Sequence, residues 1–182
     1  MRIIAGAFKG RVLQAPSWEG LRPTSDRLRE TLFNILAPRI AGAVVADVCA
    51  GTGAVGLEAL SRGAAHVTFV EQDRRAVALI EANVGRCGVS GGYTVDRRDA
   101  LATGREGRAF DIVFVDPPYA QRDLAPWVAS AAPVLAPGGL VVLEHASRLE
   151  PPAAVAGLVL GRRLRQGDSA LAFYAAPGGG PE

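Results

Sequence analysis

Lysine is almost absent from this 182-residue chain: Lys9 is the only one among twenty bases, and the rest are arginine. Two cysteines, two histidines, one methionine and 6% aromatics are nearly as sparse. Each scarcity excludes something. Cys49 and Cys87 are too few for a disulfide framework, and no paired Cys/His spacing suits a metal. Both read as free thiols of a cytoplasmic protein, with no metal expected. His66 and His145 belong to no Ser–His–Asp or Cys–His arrangement, so neither is assigned to catalysis. His66 opens a strand and is expected to be structural, whereas His145 closes one. Trp18 and Trp127 lie too far apart for a stacking platform. Trp127 is expected in the core and Trp18 in a loop. No apolar run approaches the ~18 residues of a membrane span, and the stretch Met1 to Gly6 lacks the apolar core of a signal peptide.

What is present suits one compact domain, with 49% hydrophobic and 21% charged residues. The net charge of +2 is unevenly placed. Residues 1–40 carry seven bases against three acids, while the remainder is mildly acidic. A basic N-terminal segment points to a polyanionic partner or to a solvated basic face.

Residues 2–6 and 10–15 are apolar-rich runs joined by Ala7-Phe8-Lys9, which predicts a short hairpin. A loop follows from Trp18 to Pro23. Leu28, Leu32, Ile35 and Leu36 then mark one stripe of a helix, capped by Thr24 or Ser25 and expected to end at Pro38. Asp26, Arg29 and Glu30 are expected on its exposed face, in local ion pairs. From there strands and helices alternate. Strands are expected at Val44–Val48, His66–Glu71, Tyr93–Val95, Asp111–Asp116 and Leu140–His145. Helices are expected at Ala54–Arg62, Arg74–Cys87 and Leu124–Leu135. Such alternation implies an α/β fold of parallel βαβ units with right-handed crossovers. Two last runs, Leu158–Leu164 and Ala170–Ala175, flank a turn and predict an antiparallel hairpin. The chain divides into a basic hairpin extension (1–23), a main domain (24–176) and a tail expected to be disordered (177–182).

The turn "DVCAGTGAVG", Asp47 to Gly56, joins a strand to a helix. Gly51 and Gly53 leave the backbone bare for a ligand, and the helix start offers unpaired N–H groups. Gly51-x-Gly53-x-x-Gly56 fits the dinucleotide fingerprint, a weak signal alone. The next strand sharpens it by ending at Glu71, where an acid can take both hydroxyls of a ribose. The bland alternative is a surface acid. Asp47 would repel a pyrophosphate but attract the ammonium of a methionine group. Asp99 follows the third strand and can accept the amine of an adenine with Ala100 beside the ring, or simply cap a helix. Ala50 and Gln72 adjoin these positions and complete the candidate cofactor set.

The fourth strand ends in "DPPY", Asp116-Pro117-Pro118-Tyr119. If an adenosyl sulfonium lies along this edge, its methyl group needs a nucleophile. The exocyclic amine of a nucleobase is a poor one, because its lone pair is delocalised into the ring. Two acceptors on its hydrogens correct that, and the Asp116 carboxylate and Pro117 carbonyl are suited to the task. The prolines hold the backbone, and Tyr119 offers a face for stacking.

"DPPY" and "DVCAGTG" together resemble the amino-group methyltransferases that use S-adenosylmethionine. "MRIIAGAFKGRVL", "LRPTSDRLRETLFNIL", "AGTGAVGLEALSRGA" and "FVEQDRRAV" extend the resemblance to the RsmD-type bacterial 16S rRNA guanine-N2 methyltransferases, over Met1 to about Tyr174. The resemblance implies a Rossmann-like sheet of seven strands, mostly parallel with an antiparallel C-terminal hairpin, and helices on both faces. It implies the exocyclic N2 of guanine 966 in 16S rRNA as the target, within an assembling small ribosomal subunit. By the same likeness Asp47, Gly51, Gly53, Glu71 and Asp99 would hold the cofactor, and Asp116 to Tyr119 the base. Cys49 departs from the family, whose members more often carry a larger apolar or aromatic residue there. Arg2, Lys9, Arg11, Arg22 and Arg27 become candidates for RNA phosphates, and Arg22 to Thr24 with Arg27 for the rim of the active site. A monomer without membrane attachment is expected. Adenine-N6 methylation uses the same acceptors and stays open on "DPPY" alone. An NAD(P)-dependent reductase would use the glycine turn but leaves "DPPY" unexplained.

Overall fold

The computed structural model of the chain describes residues 1–18, 24–105 and 109–179. Arg22 and the end of the tail lie outside the described residues.

Helix α1 (Asp26–Ile40) starts where the Leu28 N–H donates to Ser25 Oγ at 3.2 Å. It runs through Pro38 to Ile40 instead of ending at the proline. In the last turn the missing N–H costs one hydrogen bond, and the buried Leu36 and Ile40 hold that turn against the core. Strand β1 (Val44–Val48) is followed by α2 (Ala54–Ser61), β2 (His66–Val70), α3 (Arg74–Cys87) and β3 (Tyr93–Asp96). A 3₁₀ turn over Ala100–Arg105 leads to β4 (Phe110–Val115). Helix α4 is short, Ala125–Ala131, and gives way to a 3₁₀ turn at Ala132–Val134. Pro126 sits in the first turn of α4, where it is tolerated. Ala132 keeps a helical conformation (φ −58°, ψ −44°), but Pro133 has no N–H to extend the α-helical ladder, and the chain tightens into the 3₁₀ turn there. Strand β5 (Leu135–Ala146) consequently begins earlier than expected. The chain ends in β6 (Ala154–Val155), β7 (Leu158–Gln166) and β8 (Ser169–Ala175).

The strands form one sheet in the order β3-β2-β1-β4-β5-β8-β7-β6. It has eight strands where seven were expected, because the two-residue β6 pairs with β7 at the edge. Strands β3 to β5 are parallel, and β8 joins β5 antiparallel. Alternate residues serve two cores. Ile112 and Phe114 of β4 pack with Leu32, Phe33, Leu57 and Ile80. Val113 and Val115 pack with Val128, Trp127 and Tyr174. Burial on both faces explains the unbroken apolar runs of the central strands. Among the described residues no helix is long and apolar enough to cross a membrane.

The N-terminal arms pair less regularly than a hairpin should. A single bridge joins Arg2 to Val12, supported by Ile3 N–H to Arg11 O at 3.0 Å. The arms are diverted by side chains of α2. Ile4 and Ala5 donate their N–H groups to Glu58 at 2.8 and 3.0 Å, and Phe8 donates to Ser61 Oγ at 2.9 Å. Ile3 and Leu13 are buried in the main core.

Arg29 keeps the expected local ion pair with Asp26 but departs from expectation in its burial. It is fully buried, not on the exposed face of α1, although Asp26 and Glu30 are exposed. Its guanidinium donates to the Arg2 carbonyl and to Asp26, and its Nε lies 3.7 Å from Glu58. Burial lowers its pKa, while Asp26 and Glu58 oppose that shift. The helical period puts Arg29 next to the buried Leu28, Leu32 and Phe33, so a neighbouring acid had to exist inside. Asp26 meets Arg29 at the helix start, and Glu58, on another helix, is the acid on the buried side.

Candidate active site

In this strand order β1 is flanked by β2 and β4, so the chain turns away in opposite directions at their carboxyl ends. Open α/β sheets bind ligands at such a switch point. A cavity of about 650 Å³ lies there. Of the candidate cofactor residues, Asp47, Ala50, Gly51, Glu71, Gln72, Asp99 and Ala100 line it, and so do all four residues of Asp116 to Tyr119.

Gly53 is the exception. It caps α2 in a left-handed conformation (φ 74°) and lies outside the cavity wall. Gly56 is also structural: a Cβ there would come within 2.3 Å of the Phe69 ring, so the helix could not approach β2 so closely. Its N–H donates to Asp47 Oδ2 at 2.8 Å. Asp47 is buried, and burial pushes its pKa up to about 7 against the pull of that hydrogen bond, with Glu71 adding to the rise. A carboxyl so placed gains from a bound cation.

Glu71 is tied at both oxygens. The Gly51 N–H donates to Oε2 at 3.0 Å, and the Asp73 N–H to Oε1 at 2.9 Å. A carboxylate offers about four acceptor sites, so this arrangement orients Glu71 and still leaves room for two hydroxyls. Asp99 accepts the Leu101 N–H at 3.0 Å and so caps the 3₁₀ turn while lining the cavity. The glycine turn is braced from behind by the buried Asn83. Its amide donates to the Thr52 carbonyl at 2.9 Å and accepts from the Gln14 N–H at 2.7 Å.

Asp116 extends the ladder beyond β4, its N–H donating to Val48 O at 3.1 Å. Burial raises its pKa well above the carboxylate range, with Glu144 and Asp47 contributing. The Pro118 carbonyl accepts the Gln121 N–H at 2.9 Å and closes the turn. Tyr119 is 40% exposed. Its hydroxyl donates to the Asp168 carbonyl at 3.3 Å, and the Arg148 guanidinium lies 5.3 Å from its ring centre. Cys49 occupies a left-handed conformation (φ 61°) in the cavity wall. Burial, Asp116, Glu71, Asp47 and Asp99 all push its thiol up, so it stays protonated.

Several lining residues escaped the sequence reading. Glu144 is buried beside Asp116 and accepts the Thr24 hydroxyl at 2.7 Å. Gln166 to Ser169 reach the cavity from the β7–β8 turn. The antiparallel β8 necessarily brings that turn to the carboxyl end of β5, a signal present in the strand pattern. Trp18 also lines the cavity, with the Arg75 guanidinium 5.0 Å from its ring centre. The basic residues are elsewhere. Arg2, Lys9, Arg11 and Arg27 are exposed and outside the cavity lining. Arg11 is partly engaged, donating to the Arg86 carbonyl at 3.0 Å near the end of α3. His66 bonds to Thr94 across β2 and β3 at 3.1 Å, as a structural residue should.

Comparison with known proteins agrees with this architecture. The chain is 34% identical over 180 residues to YlbH of Bacillus subtilis, named as a candidate rRNA methyltransferase, covering 96% of this chain and 98% of that protein. It is 45% identical over 119 residues to Ribosomal RNA small subunit methyltransferase D of Escherichia coli, covering 65% of this chain and 60% of that one. A solved structure from Escherichia coli, described as a candidate methyltransferase yhhF, superposes with a TM-score of 0.84 at 36% identity, covering 96% of each chain. The chain belongs to the RsmD-type family described as Conserved hypothetical protein 95, whose model matches residues 1–175.

Proposed function

We propose that the chain is an S-adenosylmethionine-dependent methyltransferase of ribosomal RNA, acting on the exocyclic N2 amine of a guanine in 16S rRNA. The observation that carries this reading is the convergence of Asp47, Glu71, Asp99 and Asp116 on one cavity at the switch point. The names of the relatives support rRNA as the substrate class. The motifs shared with the RsmD type support guanine N2, with guanine 966 the expected position.

The residues fit the cofactor. Asp47 is a buried carboxyl in need of a cation, and the methionine ammonium is one. Glu71 has capacity for the ribose hydroxyls, and Asp99 with Ala100 adjoins the place for the adenine. When bound, S-adenosylmethionine supplies an electrophilic methyl group. Asp116 and the Pro117 carbonyl accept the two hydrogens of the target amine and direct its lone pair. The raised pKa of Asp116 suits it to take the proton that the amine releases. Arg2, Lys9, Arg11 and Arg27 supply exposed positive charge for phosphates around the target, and their contribution should weaken with salt.

The test is incubation of the protein and labelled S-adenosylmethionine with small-subunit particles from a strain lacking the enzyme, followed by mapping of the modified nucleotide. Labelled N2-methylguanine in 16S rRNA is expected; N6-methyladenine would reassign the base, and no transfer to RNA would remove the reading.

Asp47 also sets a pH dependence. The ammonium requires the ionised carboxylate, whereas below about 7 Asp47 holds a proton. Cofactor affinity is therefore expected to rise on the order of tenfold per pH unit between pH 5 and 6.5, levelling above 7. Calorimetric titration across that range checks it, and Asp47→Asn should flatten the dependence.

A further inference from the structure

The two faces of the sheet give the cavity different walls. Ala100 and the buried Trp127 line it from the core that contains Val113 and Val115. Helix α3 and the N-terminal arms pack on the other face, through Ile80, Ile3 and Leu13. Trp18 follows those arms, is half-buried and also lines the cavity. The guanidinium of Arg75, in the first turn of α3, lies 5.0 Å from the centre of its ring.

Asp73 ties this wall to the ribose acid. Its N–H donates to Glu71 Oε1 at 2.9 Å. Its carboxylate caps α3 by accepting the Arg75 N–H at 2.8 Å, and it accepts the Arg75 guanidinium at 2.7 Å. These hydrogen bonds hold the Asp73 carboxyl down at about 2, so the brace stays charged at neutral pH. An exposed ion pair contributes little stability alone. Here it fixes a cation over the indole, whose face attracts positive charge.

We propose that Trp18, positioned by Arg75, packs against the adenosine part of S-adenosylmethionine and completes a cofactor site that the main domain leaves one-sided. This rests on the methyltransferase reading above and deepens it. A purine ring has two faces to cover. Ala100 and Trp127 are placed to cover one. Glu71, Gln72 and Asp99 are polar and suit the hydroxyls and the amine at the edges, not a ring face. The indole supplies the apolar surface for the second face. The N-terminal extension therefore serves the cofactor directly.

Calorimetric titration with S-adenosylhomocysteine and 5′-methylthioadenosine tests this, because both carry the adenosine and only the first carries the ammonium. Trp18→Ala is expected to weaken both by about tenfold or more, as when a base loses a stacked aromatic. Asp47→Asn should weaken only the first. Trp18→Phe should keep most of the affinity. Arg75→Gln should weaken both about threefold, with no further effect in the Trp18→Ala background, since it acts through the indole. Additive losses would overturn the role of Arg75. Unchanged affinity in Trp18→Ala overturns the inference, as does a loss confined to S-adenosylhomocysteine. If Trp18→Ala fails to fold, the emission of Trp18 decides, taken as the difference between the wild-type protein and Trp18→Phe. A shift at saturating S-adenosylhomocysteine is expected, and an unchanged difference overturns the inference. Failure of the wild-type protein to bind S-adenosylhomocysteine overturns the underlying reading and the inference with it.

Discussion

Asp116→Ala is expected to slow methyl transfer by about 10³-fold, an effect typical of losing a positioned acid–base group and its electrostatics. Cofactor affinity should change less than about threefold, because Glu71 and Asp99 lie on other strand ends and Asp47 keeps its hydrogen bond from the Gly56 N–H. The reason is geometric. Asp116 follows β4, on the far side of β1 from β2 and β3, and its carboxyl faces Glu144 and Asp47. Removing it leaves the Pro117 carbonyl as the sole acceptor for the amine, whose lone pair then relaxes into the ring. Single-turnover kinetics alongside cofactor titration separate the two quantities. Turnover at the wild-type rate would sink the assignment of Asp116.

Glu58→Ala should have the largest effect on stability. Its carboxylate accepts the N–H groups of Ile4 and Ala5, binds Arg62 Nε at 2.8 Å and lies 3.7 Å from Arg29 Nε. Arg29 is fully buried, so its charge would keep only the Asp26 partner and a carbonyl. Breaking a buried pair in this way costs about 3–5 kcal/mol, a large part of the 5–15 kcal/mol typical of a domain. At ~2–4 °C per kcal/mol for a chain of this size, the melting temperature should fall by about 10 °C. Thermal denaturation checks it. A fall below about 3 °C would mean that the network contributes little, and that the N-terminal segment is held by Ile3 and Leu13 instead.

Those two residues illustrate what a linear reading can and cannot reach. Asp116 was legible because its signal is local: an apolar run, an acid, two prolines and an aromatic within eight residues. Asp47, Glu71 and Asp99 were legible for the same reason, each lying at or within three residues of the end of a strand whose period is visible nearby. The fingerprint treats its glycines alike, whereas here Gly51 lines the cavity, Gly53 caps α2 and Gly56 allows the approach to β2. The burial of Arg29 was hidden, since a charged residue beside Leu28 looks the same whether or not an acid waits inside. Glu58 meets Ile4 across 54 residues, and Thr24 meets Glu144 across 120.

By itself the sequence determined the alternation of strands and helices, the carboxyl-edge acids and the Asp-Pro-Pro-Tyr terminus. These follow from backbone periodicity and turn chemistry, which act over a few residues. Only the tertiary structure decided that Glu144 stands beside Asp116, that Thr24 reaches Glu144, and that Arg29 lies in the core. Those placements depend on strand order and helix packing, where burial makes distant residues partners and the cost of an unpaired charge chooses which ones.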